Sequence, residues 1–404
     1  MSRKKEKRGN NKKLIGRLLL ISAEVFLLFL MVGLCILGVQ SKKQEQDEET
    51  AKQETGLPKP VPQTENDRNV TKETEMETEE ETAETEENQE TVLAFAGDVL
   101  FAEGYANVGM LSQRGGDIAS CFGASLFQQM QDADIFMINN EFPYTLRGTP
   151  TEEKQFTFRA NPERVNLLTD MGVDLVTIAN NHVYDYGEIS LLDTLDTLDA
   201  AGIPHGGAGK NRKEAQRPVT LTVNNRKISF ICATQVEQLD VPDTVGATDS
   251  RAGVFRCWNN EDIYDVIREA AEESDFVICY IHWGEESSEE LHWAQTDQAK
   301  KMVDAGADLI VGAHPHIWQK VEYINGVPVI YSLGNFWFNS KTMDTGLLKV
   351  VLQDDGIDSI QLLPAIQSGC RTDLAEQGEK ERILSHLREL SPDVHIDAEG
   401  FITP

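Results

Sequence analysis

The feature that most constrains the fold is a series of short apolar segments, each followed by polar residues. Seven such segments occur after residue 90: TVLAFAGDV, DIFMINNE, DLVTIANNH, KISFICATQ, DFVICYIHWG, DLIVGAHPH and VPVIYSLGNF. Continuous apolar runs of this length are typical of strands that are buried on both faces. Several intervening stretches, such as ISLLDTLDTLDAAGI, EDIYDVIREAAEESD and TDQAKKMVDAGAD, are apolar at helical spacing. The alternation predicts an α/β fold.

Residue types that bind metals recur at the carboxyl ends of these predicted strands. The candidates are Asp98, Asn140, Glu141, Asn181, His182, His282, His314, His316 and Asn335. In α/β sheets the ligand crevice lies outside those strand ends, so these side chains are expected to meet there. Carboxylate oxygen, imidazole nitrogen and amide oxygen together suit hard or borderline divalent ions. The sequence therefore predicts a metal centre at one edge of the fold.

The segment GAHPHIW is the strongest single signal for this centre. His314 and His316 are two residues apart, with Pro315 between them. Residues i and i+2 of an extended chain share a side. Both imidazoles are therefore expected to face the metal centre, each toward a different ion.

The segment ANNHVYDYG combines three functional residue types in one loop. Asn181 offers an amide oxygen as a ligand, and His182 offers a group that can donate a proton. Asp185 is placed to orient His182 and to raise its basicity, as carboxylate–histidine pairs do. The alternative is an Asx turn that precedes the next helix.

The remaining candidates are ambiguous when each is taken alone. Asp98 is a ligand or a turn residue, and Glu141 bridges two ions or lies at the surface before a proline turn. A lone histidine such as His282 is more often a core residue, and its interest comes from the other candidates around it. Arg159 is an anion clamp or a surface ion pair. Asn335 orients a substrate or bonds to a ligand.

Composition and missing motifs exclude several classes of function. The chain carries 67 acidic and 37 basic residues, a net charge of −30, which disfavours binding to nucleic acid. Its six cysteines contain no CxxC pair, which argues against a thiolate zinc site or a dense disulfide framework. GxSxG, GxxxxGK[ST] and HExxH are also absent from the sequence.

The amino-terminal part has a different character. Residues 1–17 contain eight basic residues and one acidic residue, and residues 18–39 form an apolar run long enough to span a bilayer. The charge bias predicts a single-pass anchor with a cytoplasmic amino terminus and an extracellular main domain. A cleaved signal peptide is the alternative, and lipidation at Cys35 is a further one. Residues 40–90, with seventeen acidic and six basic residues, are predicted to be a disordered acidic linker.

The ordered motifs GD, NNE, NNHxxDxG, HWG, GAHPH and YSLGNF resemble the CapA/PgsA family of poly-γ-glutamate capsule biosynthesis proteins. The resemblance covers about residues 92–366 and implies a four-layer α/β/β/α sandwich of the calcineurin-like metallophosphoesterase type. It implies metal ligands at Asp98, Glu141, Asn181, His282, His314 and His316, and catalysis by His182 with Asp185. Asn140, Arg159 and Asn335 are assigned to the substrate. The sequence departs from the superfamily pattern at two positions. Leu100 stands where the wider superfamily has histidine, and Glu141 stands where it has aspartate.

The resemblance implies one or two divalent ions, Mn, Zn or Fe, in a domain over residues 91–370 with a helical extension over 371–404. The expected function is synthesis or export of an anionic capsule polymer, poly-γ-glutamate, on the surface of a Gram-positive cell. The expected partners are membrane-embedded capsule synthase subunits, the lipid bilayer and an anionic polymer or phosphoester. Two alternatives remain: an active surface metallohydrolase unrelated to export, and a scaffold that binds no metal.

Overall fold

The computed structural model describes residues 90–236, 244–258, 260–353 and 356–404. Its strands are β1 (Thr91–Val99), β2 (Ile135–Asn140), β3 (Leu175–Thr177), β4 (His205–Gly206), β5 (Ala208–Gly209), β6 (Val219–Val223), β7 (Arg226–Thr234), β8 (Gly253–Val254), β9 (Phe276–His282), β10 (Leu309–Ala313), β11 (Val321–Ile324), β12 (Val327–Ile330), β13 (Asn335–Trp337), β14 (Met343–Gln353), β15 (Gly356–Ser368), β16 (Arg371–Leu374), β17 (His395–Ile396) and β18 (Ile402–Thr403). Its helices are α1 (Ala106–Gln113), α2 (Ala124–Gln131), α3 (Asn166–Asp170), α4 (Glu188–Ala201), α5 (Arg212–Ala215), α6 (Asp262–Glu273), α7 (Trp293–Ala305) and α8 (Gln377–Leu390).

Most of the strands form two large mixed sheets, and β5 with β8 and β17 with β18 form two separate strand pairs. The first has the order β16-β15-β14-β1-β2-β3-β4, with β13 also paired to β1, and the second has the order β11-β12-β10-β9-β7-β6. In the first sheet β1, β2, β3, β4 and β13 run parallel, whereas the β1–β14, β14–β15 and β15–β16 pairings are antiparallel. In the second sheet β7, β9, β10 and β12 run parallel. The predicted α/β class is confirmed, and both sheets are mixed.

The two sheets pack face to face, and helices cover their outer faces. Phe95 and Met137 of the first sheet share one buried core with Phe230, Ile278 and Val311 of the second. The outer face of the first sheet packs against α1, α2, α3 and α4. The outer face of the second sheet packs against α6 and α7. Burial on both faces explains why the central strands read as uninterrupted apolar runs.

The helices follow from local sequence. In α6 the buried residues Ile263, Ile267 and Ala270 recur at helical spacing, which places one apolar stripe against the second sheet. Helix α4 ends at Gly202, whose φ of 70° is the left-handed conformation that commonly terminates a helix. The long pair β14 and β15 corresponds to the predicted strands GLLKVVLQ and SIQLLPAI.

The carboxyl-terminal residues pack on the same body. β16 pairs with β15 in the first sheet, so the expected boundary at residue 370 falls between two paired strands. Helix α8, which covers the predicted helix KERILSHLREL, buries Leu384 and Leu387 in the core between the sheets. The expected basic segment 1–17, the anchor 18–39 and residues 40–89 of the linker lie outside the described residues. Within the part of the chain that the structure describes, no helix has the length and apolar character needed to cross a membrane.

Candidate metal centre

The candidate centre lies at the carboxyl ends of parallel strands from both sheets. Asp98 is the penultimate residue of β1, Glu141 directly follows β2, and His282 is the last residue of β9. Asn181 follows β3 by a short loop, and His314 directly follows β10. Because these strands run parallel, their carboxyl ends meet at one edge of the fold, as the sequence predicted.

The β1–β13 pairing depends on a glycine. The Asp98 amide donates to the carbonyl oxygen of Gly334 at 2.9 Å, just before β13 begins. A Cβ on Gly97 would lie 1.9 Å from that same oxygen. Only glycine permits this approach, which sets Asp98 beside Asn335 in register.

The Glu141 carboxylate lies at the middle of the cluster. Its Oε1 is 3.9 Å from His182 Nε2, 3.8 Å from His282 Nε2 and 3.9 Å from His316 Nε2. Glu141 is fully buried, and neither carboxylate oxygen has a hydrogen-bond partner among the described residues. A buried carboxylate without such partners is costly unless a cation compensates its charge.

The electrostatics of the centre also favour a cation. Burial, and after it the nearby Asp98 carboxylate, raise the pKa of Glu141 well above its ordinary value. Ligand atoms of Glu141, His314 and His316 lie within 4.8 Å of one another. His314 Nδ1 is buried and has no hydrogen-bond partner in the described part of the chain. The donor set therefore fits a divalent ion, with Glu141 and the imidazoles as its protein ligands.

Hydrogen bonds orient two of the imidazoles. His316 Nδ1 lies 3.1 Å from Asp98 Oδ2 and 2.9 Å from Asn335 Oδ1, so this nitrogen is the N–H donor. Its Nε2 then faces Glu141. His282 Nε2 lies 2.9 Å from Asn181 Oδ1. The tautomers are assigned from these partners.

Asp185 holds His182 from the opposite side. Asp185 Oδ2 lies 2.8 Å from His182 Nδ1 and accepts the Phe158 amide at 2.6 Å, and its Oδ1 accepts Lys154 Nζ at 2.6 Å. The Lys154 ammonium also donates to the Asn181 carbonyl. Phe158 stacks on the His182 ring with centroids 4.1 Å apart. These contacts fix the ring so that Nε2 points toward Glu141.

Burial shifts the proton affinity of the histidines in this cluster. It lowers the pKa of His282 and of His314 well below the ordinary value, and neighbouring imidazoles lower both further. Burial also lowers the pKa of His182, against the raising effect of Asp185. Neutral imidazoles are the form that coordinates metal ions.

The backbone of the GAHPHIW loop differs from expectation. His314 and His316 have φ values of 102° and 62°, so this segment is not extended. The two rings still lie close, with centroids 5.9 Å apart. Non-glycine residues with positive φ are strained, and such strain concentrates at functional sites. The expectation from sequence assumed an extended chain and therefore did not predict this turn.

Other assigned residues occupy different places. Asn140 is buried, but its amide donates to the Phe142 carbonyl at 2.7 Å, away from the histidines. The Arg159 guanidinium lies 4.7 Å above the Tyr186 ring, a cation–π contact. Asn335 does contact His316, yet it begins β13 instead of ending a strand.

Three residues of the site were missed by sequence reasoning. Asn139 donates to Asp98 Oδ1 at 2.7 Å and contacts His282 Nδ1 at 3.2 Å. Asn180 donates to Asn139 Oδ1 at 3.1 Å, and Lys154 pairs with Asp185. Strand alternation could have distinguished Asn139 from Asn140, since neighbouring strand residues face opposite sides. No local signal marks Lys154.

These features define an α/β protein with a buried carboxylate–imidazole centre between two sheets. A family model described as bacterial capsule synthesis protein PGA_cap matches residues 92–340. The chain therefore belongs to the PGA_cap family of bacterial capsule synthesis proteins, and the resemblance inferred from the motifs is confirmed.

Two relatives with related sequences agree with the family. The PGA biosynthesis protein CapA of Bacillus subtilis (strain 168) is 29% identical over 310 residues, covering 74% of this chain and 77% of that protein. The capsule biosynthesis protein CapA of Bacillus anthracis is 28% identical over 312 residues, covering 74% of each. A solved structure of a putative 5'-nucleotidase from Staphylococcus aureus is 13% identical with a TM-score of 0.39, covering 74% of this chain and 58% of that one.

Proposed function

We propose that this protein is a membrane-anchored, extracellular accessory subunit in the synthesis or export of an anionic capsule polymer, poly-γ-glutamate. Membership of the PGA_cap family and the two Bacillus relatives support the polymer assignment. The apolar run at residues 18–39, with its basic flank, supports the anchor. The expected partners are membrane-embedded synthase subunits.

The metal-dependent part of the proposal rests on the Glu141 carboxylate. It is fully buried, without hydrogen-bond partners in the described residues, and has three imidazole nitrogens within 3.9 Å. We propose that Asp98, Glu141, Asn181, His282, His314 and His316 hold one or two divalent ions in a metallophosphoesterase-like four-layer fold. A bound Mn, Zn or Fe ion would supply Lewis acidity and compensate anionic groups of the polymer.

The chain's own residues would act around that ion. Asp185 fixes His182 through Nδ1, so that Nε2 faces the centre and can exchange a proton with a bound group. Lys154 holds Asp185, and Phe158 covers the imidazole face. Asn335 orients His316. These contacts leave His182 Nε2 as the atom that would hold or transfer a proton.

Deletion and complementation in the native cell test the function. Loss of the gene is expected to abolish surface polymer, and the full chain is expected to restore it. Glu141→Gln should not restore it and should reduce the metal content of the purified full chain, measured by mass spectrometry. Glu272→Gln, in an exposed part of α6, is the matched control. Unchanged polymer after deletion would overturn the proposal.

A surface metallohydrolase is the second candidate. The His182–Asp185 pair, 3.9 Å from Glu141 through Nε2, favours it because a held imidazole is suited to general acid–base catalysis. Hydrolysis of phosphodiesters and of the γ-glutamyl polymer should be measured with added Mn²⁺ or Zn²⁺. Turnover no greater than that of His182→Ala would exclude this candidate.

A further inference from the structure

We propose that Arg159, Tyr105 and Tyr186 form a carboxylate-binding site beside the His182–Asp185 pair. The Arg159 guanidinium carbon lies 4.7 Å from the centre of the Tyr186 ring. Within the described residues this cation–π contact is its only polar contact, since the guanidinium forms no hydrogen bond or ion pair there. The half-buried side chain therefore keeps five N–H donors for a ligand, in a planar fork that suits an oxyanion.

No carboxylate of the described residues forms an ion pair with Arg159. The Glu103 amide donates to the Arg159 carbonyl at 2.9 Å, but the exposed Glu103 side chain does not pair with the guanidinium. Asp185 is paired instead with Lys154, whose Nζ lies 2.6 Å from Asp185 Oδ1. Of the two roles expected for Arg159 from the sequence, an anion clamp is thus favoured over a surface ion pair.

The backbone places this site one residue beyond the contacts that hold His182. The Phe158 amide donates to Asp185 Oδ2 at 2.6 Å, and the Phe158 ring stacks on His182 with centroids 4.1 Å apart. Arg159 follows Phe158 and Tyr186 follows Asp185, so the cation–π pair lies next to the Phe158–Asp185 pair. A ligand group held at Arg159 therefore adjoins the imidazole that faces the metal centre.

Two phenol hydroxyls complete the set of donors. The Tyr105 ring packs edge-on against Phe158 with centroids 5.2 Å apart. Burial, and after it the Asp185 and Tyr186 side chains, raise the pKa of Tyr105, so its hydroxyl keeps its proton at neutral pH. In the part of the chain that the structure describes, neither the Tyr105 nor the Tyr186 hydroxyl has a hydrogen-bond partner. Each can therefore donate to a ligand oxygen.

The donors define the class of ligand. Guanidinium and phenol groups together select an oxyanion, and the arginine fork matches the two oxygens of a carboxylate. The ligand is the α-carboxylate of a γ-linked glutamate residue, a choice that rests on the proposed function. Each residue of such a chain carries one α-carboxylate, so one residue can bind at Arg159 while a neighbouring group lies at the metal centre. The site thereby positions the polymer relative to His182.

Calorimetric titration of the purified full chain with a γ-linked pentaglutamate tests the site. Arg159→Gln is expected to weaken binding roughly tenfold, the loss of one charge-assisted contact. Arg159→Lys keeps the charge but lacks the planar fork, so it should restore only part of the affinity. Tyr105→Phe removes one hydroxyl, keeps the ring and should weaken binding roughly threefold. The matched control is Arg382→Gln, whose guanidinium engages Asp344 and Glu379 and which should leave affinity unchanged.

Metal content and thermal unfolding separate binding at this site from indirect effects. Arg159→Gln should keep the wild-type metal content, measured by mass spectrometry, which excludes an effect through the metal centre. Its thermal unfolding should also match the wild type. If Arg159→Gln is less stable than the wild type, the comparison is made with Tyr105→Phe, which keeps the packing of the ring.

Further ligands decide whether a carboxylate is bound. An uncharged γ-linked pentaglutamine should bind Arg159→Gln and the wild type equally, because it offers no carboxylate to the guanidinium. Equal pentaglutamate affinity of the wild type, Arg159→Gln and Tyr105→Phe would overturn the proposal, as would an equal loss with pentaglutamine. Arg159-dependent binding of inorganic phosphate that is tighter than that of the pentaglutamate would also overturn it. If the pentaglutamate fails to bind the wild type while gene deletion still abolishes surface polymer, this inference falls and the proposed function stands.

Discussion

At the scale of single residues, the centre is stabilised by compensation of buried charge. Asp185 is completely buried and accepts bonds from an imidazole, a backbone amide and an ammonium group. The Lys154 side chain is only 5% exposed, although it comes from a loop. Two charges so far from water are tolerated because they are paired and hydrogen-bonded.

Removal of the Lys154 charge should therefore destabilise the protein strongly. Lys154→Met leaves Asp185 buried beside an apolar chain, and we expect unfolding free energy to fall by about 3–5 kcal/mol. Urea denaturation at neutral pH measures the change. The matched control is Lys301→Met, whose partner Asp297 is half exposed, and which should cost at most about 1 kcal/mol. Equal effects of the two substitutions would contradict the argument.

The histidines predict how stability of the metal-free protein depends on pH. Burial lowers the pKa of His282 and His314 in the folded state, whereas the unfolded value is about 6.5. Below about pH 6.5 these two histidines bind more protons in the unfolded chain than in the folded one, so their contribution to stability falls as pH falls toward the folded pKa values. Each histidine contributes a slope of about 1.4 kcal/mol per pH unit in that window.

Substitution of one of these histidines should reduce that slope. His314→Gln removes one titrating group. We therefore expect the slope of its unfolding free energy against pH, between about pH 6.5 and 5.5, to be smaller than that of the wild type by up to about 1.4 kcal/mol per pH unit. Urea denaturation of chelator-stripped protein at several pH values gives the slope. Lys301→Met, changed outside the cluster, serves as a control. An unchanged slope in His314→Gln would show that folding does not lower the pKa of His314.

At the scale of elements, the pairing of β1 with β13 brings Asp98 to Asn335. The pairing joins residues more than two hundred positions apart and is only a few residues long. It requires a glycine at position 97, because the neighbouring carbonyl occupies the place of a side chain. This close approach predicts which glycine substitution the fold cannot accommodate.

Gly97→Ala should disrupt this pairing. The added Cβ would collide with a backbone oxygen that cannot rotate away, so we expect destabilisation beyond the roughly 1–3 kcal/mol typical of over-packing. Gly109→Ala in α1 meets no atom within 4 Å and should instead stabilise the helix by about 0.5–1 kcal/mol. Urea midpoints of both variants test the contrast. A Gly97→Ala protein as stable as the wild type would refute it.

The sequence predicts strand ends better than it predicts the loops that follow them. Asp98, Glu141 and His282 lie together because parallel strands place their carboxyl ends at one edge. Asn139 was overlooked, although strand alternation separates it from Asn140, because neighbouring strand residues face opposite sides. The left-handed turn at His314 and His316 depends on tertiary packing. Lys154 reaches Asp185 from a loop without periodicity, so only the folded chain reveals the pair.

At the scale of the whole molecule, the charge distribution gives each region a different role. The first 17 residues are basic, residues 40–90 are strongly acidic, and the remaining acidic excess belongs to the folded body. Broad electrostatic attraction of a polyanion to that body is unfavourable. An anionic polymer therefore needs local positive charge, which we propose comes from a cation at Glu141.

The same charge distribution predicts the membrane topology. Eight basic residues precede the apolar run, whereas Lys42 and Lys43 are the basic residues directly after it, so the amino terminus should stay in the cytoplasm. Protease added to intact protoplasts should then degrade the folded body, and a cytoplasmic marker protein should survive. Glutamine at the eight basic positions should reduce the accessible fraction. Protection of the folded body from protease until the protoplasts are lysed would contradict this topology. If mass spectrometry shows that the purified mature chain lacks residues 1–39, a cleaved signal peptide is favoured over an anchor.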